Sequence, residues 1–412
     1  MTAKSAGDHA AIWALAAAQL VAWGAIYYAF SLFVVPMESA MGWSRMATNA
    51  ALSVGLLVSG LAAWPVGVWI DHGHGRQVMI WGSVLATAML ALWSQAHSLV
   101  TLFIVWIGLG IAMAATLYDP VFAIITRNFP DSFRTKITLI TLVGGFASTV
   151  FIPLTQSLVN AVGWRDALLA LAAINLAICL PFNALAIGPD NARAGHADHK
   201  ASHRRTPAAS TQRALRTPTF WALAVCFTAY YSTFAALTFH LVPLMTERKV
   251  SPAVMLATMA VIGPAQVLAR ILWFTIGRNV RPSTMGVIIT TAFPASVVIL
   301  MVAGQSSAWL ILFATVYGGA NGMMTILRGT IVQDVMWTEG YGAISGLLSM
   351  PSNVAKGVAP ISAALIWAIG HNYVPVEWTV LLVSLVSAAA FAVAVRFAGV
   401  QKHRTGQSVT TR

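Results

Sequence analysis

Long apolar stretches, each about as long as a bilayer is thick, alternate with short polar breaks along the whole chain. The pattern predicts twelve helical spans, at roughly 11–36, 46–70, 78–97, 99–127, 137–162, 166–187, 219–246, 251–276, 283–304, 308–332, 343–369 and 376–398. About 20 apolar residues are enough for a helix to cross the hydrocarbon core. One break is much longer than the others. Residues 188–218 hold proline, glycine, serine, histidine and six basic residues, and read as a solvated cytoplasmic linker between a six-helix bundle at 1–187 and a second at 219–412. The fold expected is an all-α membrane protein of twelve transmembrane helices in two pseudo-symmetric bundles.

The fourth span breaks the pattern at one point. From Leu99 to Thr126 the only charge is Asp119, within Tyr118-Asp119-Pro120. A carboxylate inside a membrane span is costly and faces a protein interior or a wet cavity. The same segment has an echo 209 positions later. Gly110-Ile-Ala-Met-Ala-Ala-Thr-Leu-Tyr-Asp119-Pro120 aligns with Gly319-Ala-Asn-Gly-Met-Met-Thr-Ile-Leu-Arg328-Gly329. Gly67 recurs as Gly277 and Pro153 as Pro360 at nearly that offset. Internal repeats of this kind build many transporters. The repeat puts Asp119 and Arg328 at matched depth, and they are expected to act as one unit, either as a gate or within a substrate site.

Composition agrees with the spans. The chain is 58% hydrophobic and 9% charged, with a mean hydropathy of +0.76. Soluble domains carry roughly a quarter charged residues. Cys179 and Cys226 both lie in apolar runs, which excludes a disulfide framework or zinc site, and no cofactor or metal is expected. The net charge of +12 would suit nucleic acid, but its distribution excludes that reading. With the N-terminus placed in the cytoplasm, seventeen of the 24 Lys and Arg fall in cytoplasmic segments and four in outer loops. This asymmetry is a topology signal. No cleavable signal is expected, since Ala10 to Val35 is too long for a signal h-region.

Between spans 2 and 3 stands Gly67-Val-Trp-Ile-Asp71-His-Gly-His-Gly75-Arg76. It resembles the loop signature of the major facilitator superfamily, Gly-x-x-x-Asp-Arg-x-Gly-Arg, with His72 in place of the first arginine and Gly75 one position late. On that resemblance, Gly67 lets two helices approach and Asp71 caps a helix N-terminus or pairs with a cation, holding the inward face shut. Gly75 is expected to support the tight turn. The second copy, Gly277-Arg-Asn-Val-Arg281-Pro, lacks the acid.

Span 8 carries Gly263-Pro-Ala-Gln266-Val-Leu-Ala-Arg270. This resembles the eighth helix of the monocarboxylate and oxalate–formate antiporter-like branch, which implies that Arg270 handles a carboxylate. A guanidinium fork suits that task. Gln266 stands where that branch has an acid, and Tyr27-Tyr28-Ala-Phe30-Ser31 offers no counterpart to its first-helix lysine. Lys356 lies near the middle of span 11, so Arg270, Arg328 and Lys356 face one acid, Asp119, and favour an anionic substrate. In this superfamily spans 1, 4, 7 and 10 line a central cavity. That implies lining roles for the Gln19, Trp23 and Tyr27 face, for Tyr118, for the Cys226, Tyr230, Thr233, Leu237 and His240 face, and for Asn321. Gly318 and Gly322 form a Gly-xxx-Gly packing pair.

The function expected is secondary transport of a small organic anion, a monocarboxylate, by alternating access, with Asp119 as a route for proton coupling. A second reading is transport of a vitamin, such as a riboflavin-like flat heteroaromatic, or of a drug-like compound. A third is a membrane sensor without flux. No nucleotide motif, metal cluster or nucleophile with an ordered base argues for an enzyme. The expected setting is the cell inner membrane, with the lipid bilayer and a small molecule as partners, and a monomeric state. If the charge asymmetry sets the topology, an impermeant thiol reagent applied to intact cells leaves single cysteines in 188–218 and at either terminus unlabelled. Labelling at any of these places refutes the orientation.

Overall fold

A computed structural model of the chain describes residues 3–187, 207–275 and 280–404. Linker residues 188–206, Gly277 and Arg278 of the second loop copy, and the tail from 405 lie outside the described residues. Among the described residues every regular element is helical, and ten helical stretches are long and apolar enough to cross a bilayer. Two of them, Met46–Ser94 with 49 residues and Phe133–Ala186 with 54, are too long for one crossing. At about 1.5 Å per residue each exceeds twice the ~30 Å hydrocarbon core. A glycine with positive φ interrupts each, Gly73 at 100° and Gly163 at 80°. The ten stretches thus accommodate twelve crossings.

The chain forms two compact units, Met1–Ala208 with Gly340–Met350, and Ala209–Glu339 with Pro351–Arg412. The first holds α1 (Ala3–Ala22), a π-helical turn Trp23–Tyr28, α2 (Phe30–Met41), α3 (Arg45–Trp69), α4 (Gly75–Ser94), α5 (Leu99–Thr116), α6 (Tyr118–Asn128), α7 (Phe133–Gly144) and α8 (Ala147–Ala186). The Ser44 and Ser98 hydroxyls accept from the Ala47 and Thr101 amides and start α3 and α5. Its core centres on edge-on rings, with Trp106 4.9 Å from Phe30 and 5.3 Å from Trp93. Polar side chains bind α8 to α4: the Asn175 amide donates to Ser83 O and Thr87 Oγ1, and that of Asn183 to Ser83 Oγ. Without a hydrophobic force between helices in lipid, such bonds and close packing hold them together.

The fourth crossing is split, and the cause is local. Pro120 has no N–H to give Thr116 O, its partner four residues back. Leu117 takes an extended conformation (φ −79°, ψ −157°), and the helix restarts as α6. Gln19 of α1, fully buried, donates Nε2 to Thr116 O at 2.6 Å. The orphaned carbonyl therefore fixes α1 against the break.

The loop between α3 and α4 differs in detail from its expected form. Its turn lies at Gly73, where φ of 100° excludes a side chain, and not at Gly75. Gly75 is helical (φ −56°, ψ −40°) and gives close approach instead, since a Cβ there would stand 2.8 Å from Ile124. Arg127 supports the turn by donating Nη1 to Ile70 O at 2.6 Å and Asp71 O at 2.8 Å. Arg76 donates Nε to Ala184 O at 3.0 Å. Asp71 caps the start of α14 (Tyr341–Gly370): its two carboxylate oxygens accept from the Gly342 and Ala343 amides at 3.0 and 2.8 Å. First-turn amides have no partner within their helix, and the helix dipole favours an anion there. Gly67 and Gly342 meet backbone to backbone, and a Cβ on either would strike the other's carbonyl. Gly340–Met350 thus packs with the first unit, although chain order places it in the second bundle.

The second unit holds α9 (Pro207–Leu215), α10 (Pro218–Glu247), α11 (Pro252–Thr275), α12 (Pro282–Ala303), α13 (Ser307–Val335), the rest of α14, and α15 (Val374–Arg404). Gly318 and Gly322 of α13 lie against the α11 backbone at Ile262 and Gln266, so the Gly-xxx-Gly pair makes the α11–α13 crossing. Arg248 of α10 grips Glu377 of α15 through two bonds of 2.6 and 2.7 Å.

Gln19→Leu removes the donor to Thr116 O and leaves a buried carbonyl unpaired, at a cost of about 1–3 kcal/mol. The expected result is a lower thermal unfolding midpoint in detergent. An unchanged midpoint would show that the break does not depend on Gln19.

Candidate functional site

In the second unit, one aromatic ring serves two cations. Tyr231 of α10 is 9% exposed and Arg328 of α13 is 7% exposed. The Arg328 guanidinium carbon lies 5.4 Å from the Tyr231 ring centroid, and Lys356 Nζ of α14 lies 4.1 Å from it. Lys356 also donates to Asn353 Oδ1 at 3.3 Å. Both cations are inside the roughly 6 Å range of cation–π attraction. A ring's quadrupole offsets part of one charge.

The other predicted residues are placed separately. Arg270 of α11 is 4% exposed and donates Nε to Gly322 O at 3.0 Å, beside the glycine crossing. Asn321 is half-buried on α13. His240 of α10 stands between Tyr373 Oη, 3.0 Å from Nδ1, and Pro360 O, 2.9 Å from Nε2. Two residues of the α10 face expected to line the cavity pack on neighbouring helices of the same unit. Tyr230 lies 4.7 Å from the Phe293 ring, and Cys226 Sγ lies 3.5 Å from Ser387 Oγ. Tyr231 is the residue that meets the cations. One position along a helix turns the side chain by about 100°, and adjacent tyrosines conceal that phase in a sequence.

In the first unit, Asp119 opens α6 and accepts from Ser349 Oγ at 2.8 Å. Ser349 gave no signal in the sequence, being one serine in an apolar run. Beside Asp119, Tyr118 joins an aromatic cluster with the π-helical turn of the first crossing. Its ring is 5.0 Å from Trp23 and stacks on Phe122 at 5.4 Å, and Trp23 is 5.4 Å from Tyr27. The π turn leaves Gly24 O to accept from the Ala29 amide, five residues on, at 3.0 Å. Such turns recur at functional sites because they re-aim side chains within a helix. Here the turn holds Trp23, Tyr27 and Tyr28 in mutual contact. Among the described residues no group of three His, Cys, Asp or Glu could hold a metal ion.

Comparison with known proteins fits this architecture. Residues 15–360 match the family described as the Major Facilitator Superfamily. The chain is 27% identical over 348 residues to monocarboxylate transporter 13 of Rattus norvegicus, covering 82% of this chain and 77% of that one. It is 32% identical over 184 residues to monocarboxylate transporter 11 of Mus musculus, covering 43% and 40%. Among solved structures, the human organic anion transporter MFSD10 superposes with a TM-score of 0.70 at 15% identity, covering 96% of this chain and 100% of that one. The transporter FucP in its outward conformation gives 0.72 at 13%, covering 94% and 98%. At these identities the structural likeness bears on the fold alone. With the family matched over most of its length and the helical fold shared throughout, this chain belongs to the major facilitator superfamily, and is a multi-pass membrane transporter rather than an enzyme.

Proposed function

We propose that the chain moves a small organic anion, a monocarboxylate, across the cell inner membrane by alternating access, as a monomer with its termini in the cytoplasm. The observation that carries this reading is the pair of cations, Arg328 and Lys356, at the single ring of Tyr231. A carboxylate accepts from a guanidinium fork and from an ammonium at once. Monocarboxylate transporters among the relatives support the same class. Arg270, which also steadies the α11–α13 crossing, is the proposed carboxylate-handling arginine. Asp119, matched to Arg328 by the internal repeat, is the proposed proton carrier. The loop at Asp71 gates α14 through its cap.

The aromatic cluster of Trp23, Tyr27, Tyr28 and Tyr118 favours a second reading, transport of a flat heteroaromatic such as a riboflavin-like vitamin. Stacked rings accept a flat solute without charge selection.

Uptake into proteoliposomes of labelled short monocarboxylates and of flat neutral vitamins separates the two. On the anion reading carboxylates enter, and Lys356→Gln and Arg328→Gln each lower carboxylate kcat/KM by roughly 30-fold or more, as expected when one member of a buried charge set is lost. Asp119→Asn loses accumulation driven by a pH gradient but keeps exchange of substrate for substrate. Entry of only the neutral solutes, with both Gln variants at the wild-type rate, overturns the anion reading.

A further inference from the structure

α14 is loosely packed along its middle. Within the second unit it stands off from α10 and α15 across a groove of about 260 Å³, lined by small side chains such as Ser232 and Ala236, Ala359 and Ala363, and Val376 and Val380. Where close packing is missing, dispersion does not fix a helix in place. Polar contacts do so at the end of the groove. His240, one turn beyond Ala236, reaches Pro360 O on α14 and Tyr373 Oη at the start of α15. Two turns further along α10, Glu247 accepts from the Trp367 indole of α14 and from the Tyr373 amide, both at 2.9 Å.

The partners fix the protons on His240. A carbonyl only accepts, so Nε2 carries a hydrogen toward Pro360 O. In the neutral ring Nδ1 then accepts, and the Tyr373 hydroxyl donates to it. Burial, and after it the charge of Glu247, raises Tyr373 above the ordinary phenol range, so its hydroxyl keeps its proton. Protonation puts a hydrogen on Nδ1 as well. The Tyr373 hydroxyl turns to accept, and the bond to Pro360 O becomes charge-assisted, roughly twice as strong as a neutral one. Both contacts persist and one tightens. The charged and titratable groups on the elements packed here are Glu247 of α10, Arg248 and Lys249 just after it, Lys356 of α14, His371 just beyond α14, Tyr373 before α15, and Glu377 of α15. Arg248 and Glu377 are committed to each other. Glu247 meets neutral donors, the Trp367 indole and the Tyr373 amide.

We propose that His240 is a proton-binding site that sets how firmly α14 is held to α10 and α15, pinning α14 as the pH falls. It is a positioning residue, distinct from the cations at Tyr231, and this role does not depend on the substrate.

The test needs no substrate. Spin labels at the exposed positions Val242 of α10 and Ile369 of α14, in the full-length protein in nanodiscs, report their separation by pulsed dipolar spectroscopy at pH 8 and pH 5.5. The wild-type distance distribution should narrow at pH 5.5. His240→Gln keeps an amide donor for Pro360 O but does not titrate, and should give one distribution at both pH values. A wild-type distribution that ignores pH, or a His240→Gln variant that narrows as the wild type does, would each overturn the proposal.

Discussion

A backbone carbonyl or amide in hydrocarbon has no water to turn to, and leaving it unpaired costs several kcal/mol. The irregular points of this chain are arranged under that constraint. Pro120 breaks the fourth crossing and frees Thr116 O, and Gln19 from the first crossing answers it at 2.6 Å. The π turn at Trp23–Tyr28 shifts its bonds by one residue and keeps them within the helix. The open amides at the start of α14 take the Asp71 carboxylate. At Thr116 and at the start of α14 the residue that repairs the break also joins two helices, so these breaks build tertiary structure.

The second constraint is distance. Lipid tails are as apolar as leucine, so helices stay together only where they approach closely or share polar bonds. Gly318 and Gly322 bring α13 onto the α11 backbone, and Gly67 with Gly342 brings α3 onto α14. Arg270 adds a bond from α11 to Gly322 O at that same crossing. A residue that resembles a carboxylate-binding arginine in sequence thus also fastens two helices, one of which carries Arg328.

Much of this was legible in the chain. The all-helical membrane fold and the superfamily signature are matters of composition and spacing, and a run of apolar residues leaves a helix few alternatives in a bilayer. What was hidden was phase and partnership. The positive φ falls on Gly73 because Arg127 clasps the two carbonyls just before it, while Gly75 is held helical against Ile124. Counting along the signature could not separate the two glycines. Tyr230 and Tyr231 are chemically alike, and only the packing of Tyr230 on Phe293 reveals which one meets the cations. Ser349 is silent until Asp119 is seen to accept its hydroxyl. Chain order assigns Gly340–Met350 to the second bundle, and the Asp71 cap explains why it packs with the first.

The second unit places its charge chemistry and its loosest packing on one helix. Lys356 and Pro360 lie four residues apart on α14, about 6 Å along the axis. Lys356 looks to Tyr231 of α10 and Pro360 O to His240 of the same helix. Two points of attachment so close on one rod cannot move independently. A displacement of α14 that lengthens the His240 contact also shifts the ammonium relative to the Tyr231 ring, and so alters the balance between Lys356 and Arg328 at that ring. On the proposed function, an anion that bridged the two cations would act on the same coordinate from the other side, since by drawing Lys356 toward Arg328 it would bias the position of α14. The groove of small residues between α10, α14 and α15 leaves room for that motion, because no interlocked side chains must be forced apart.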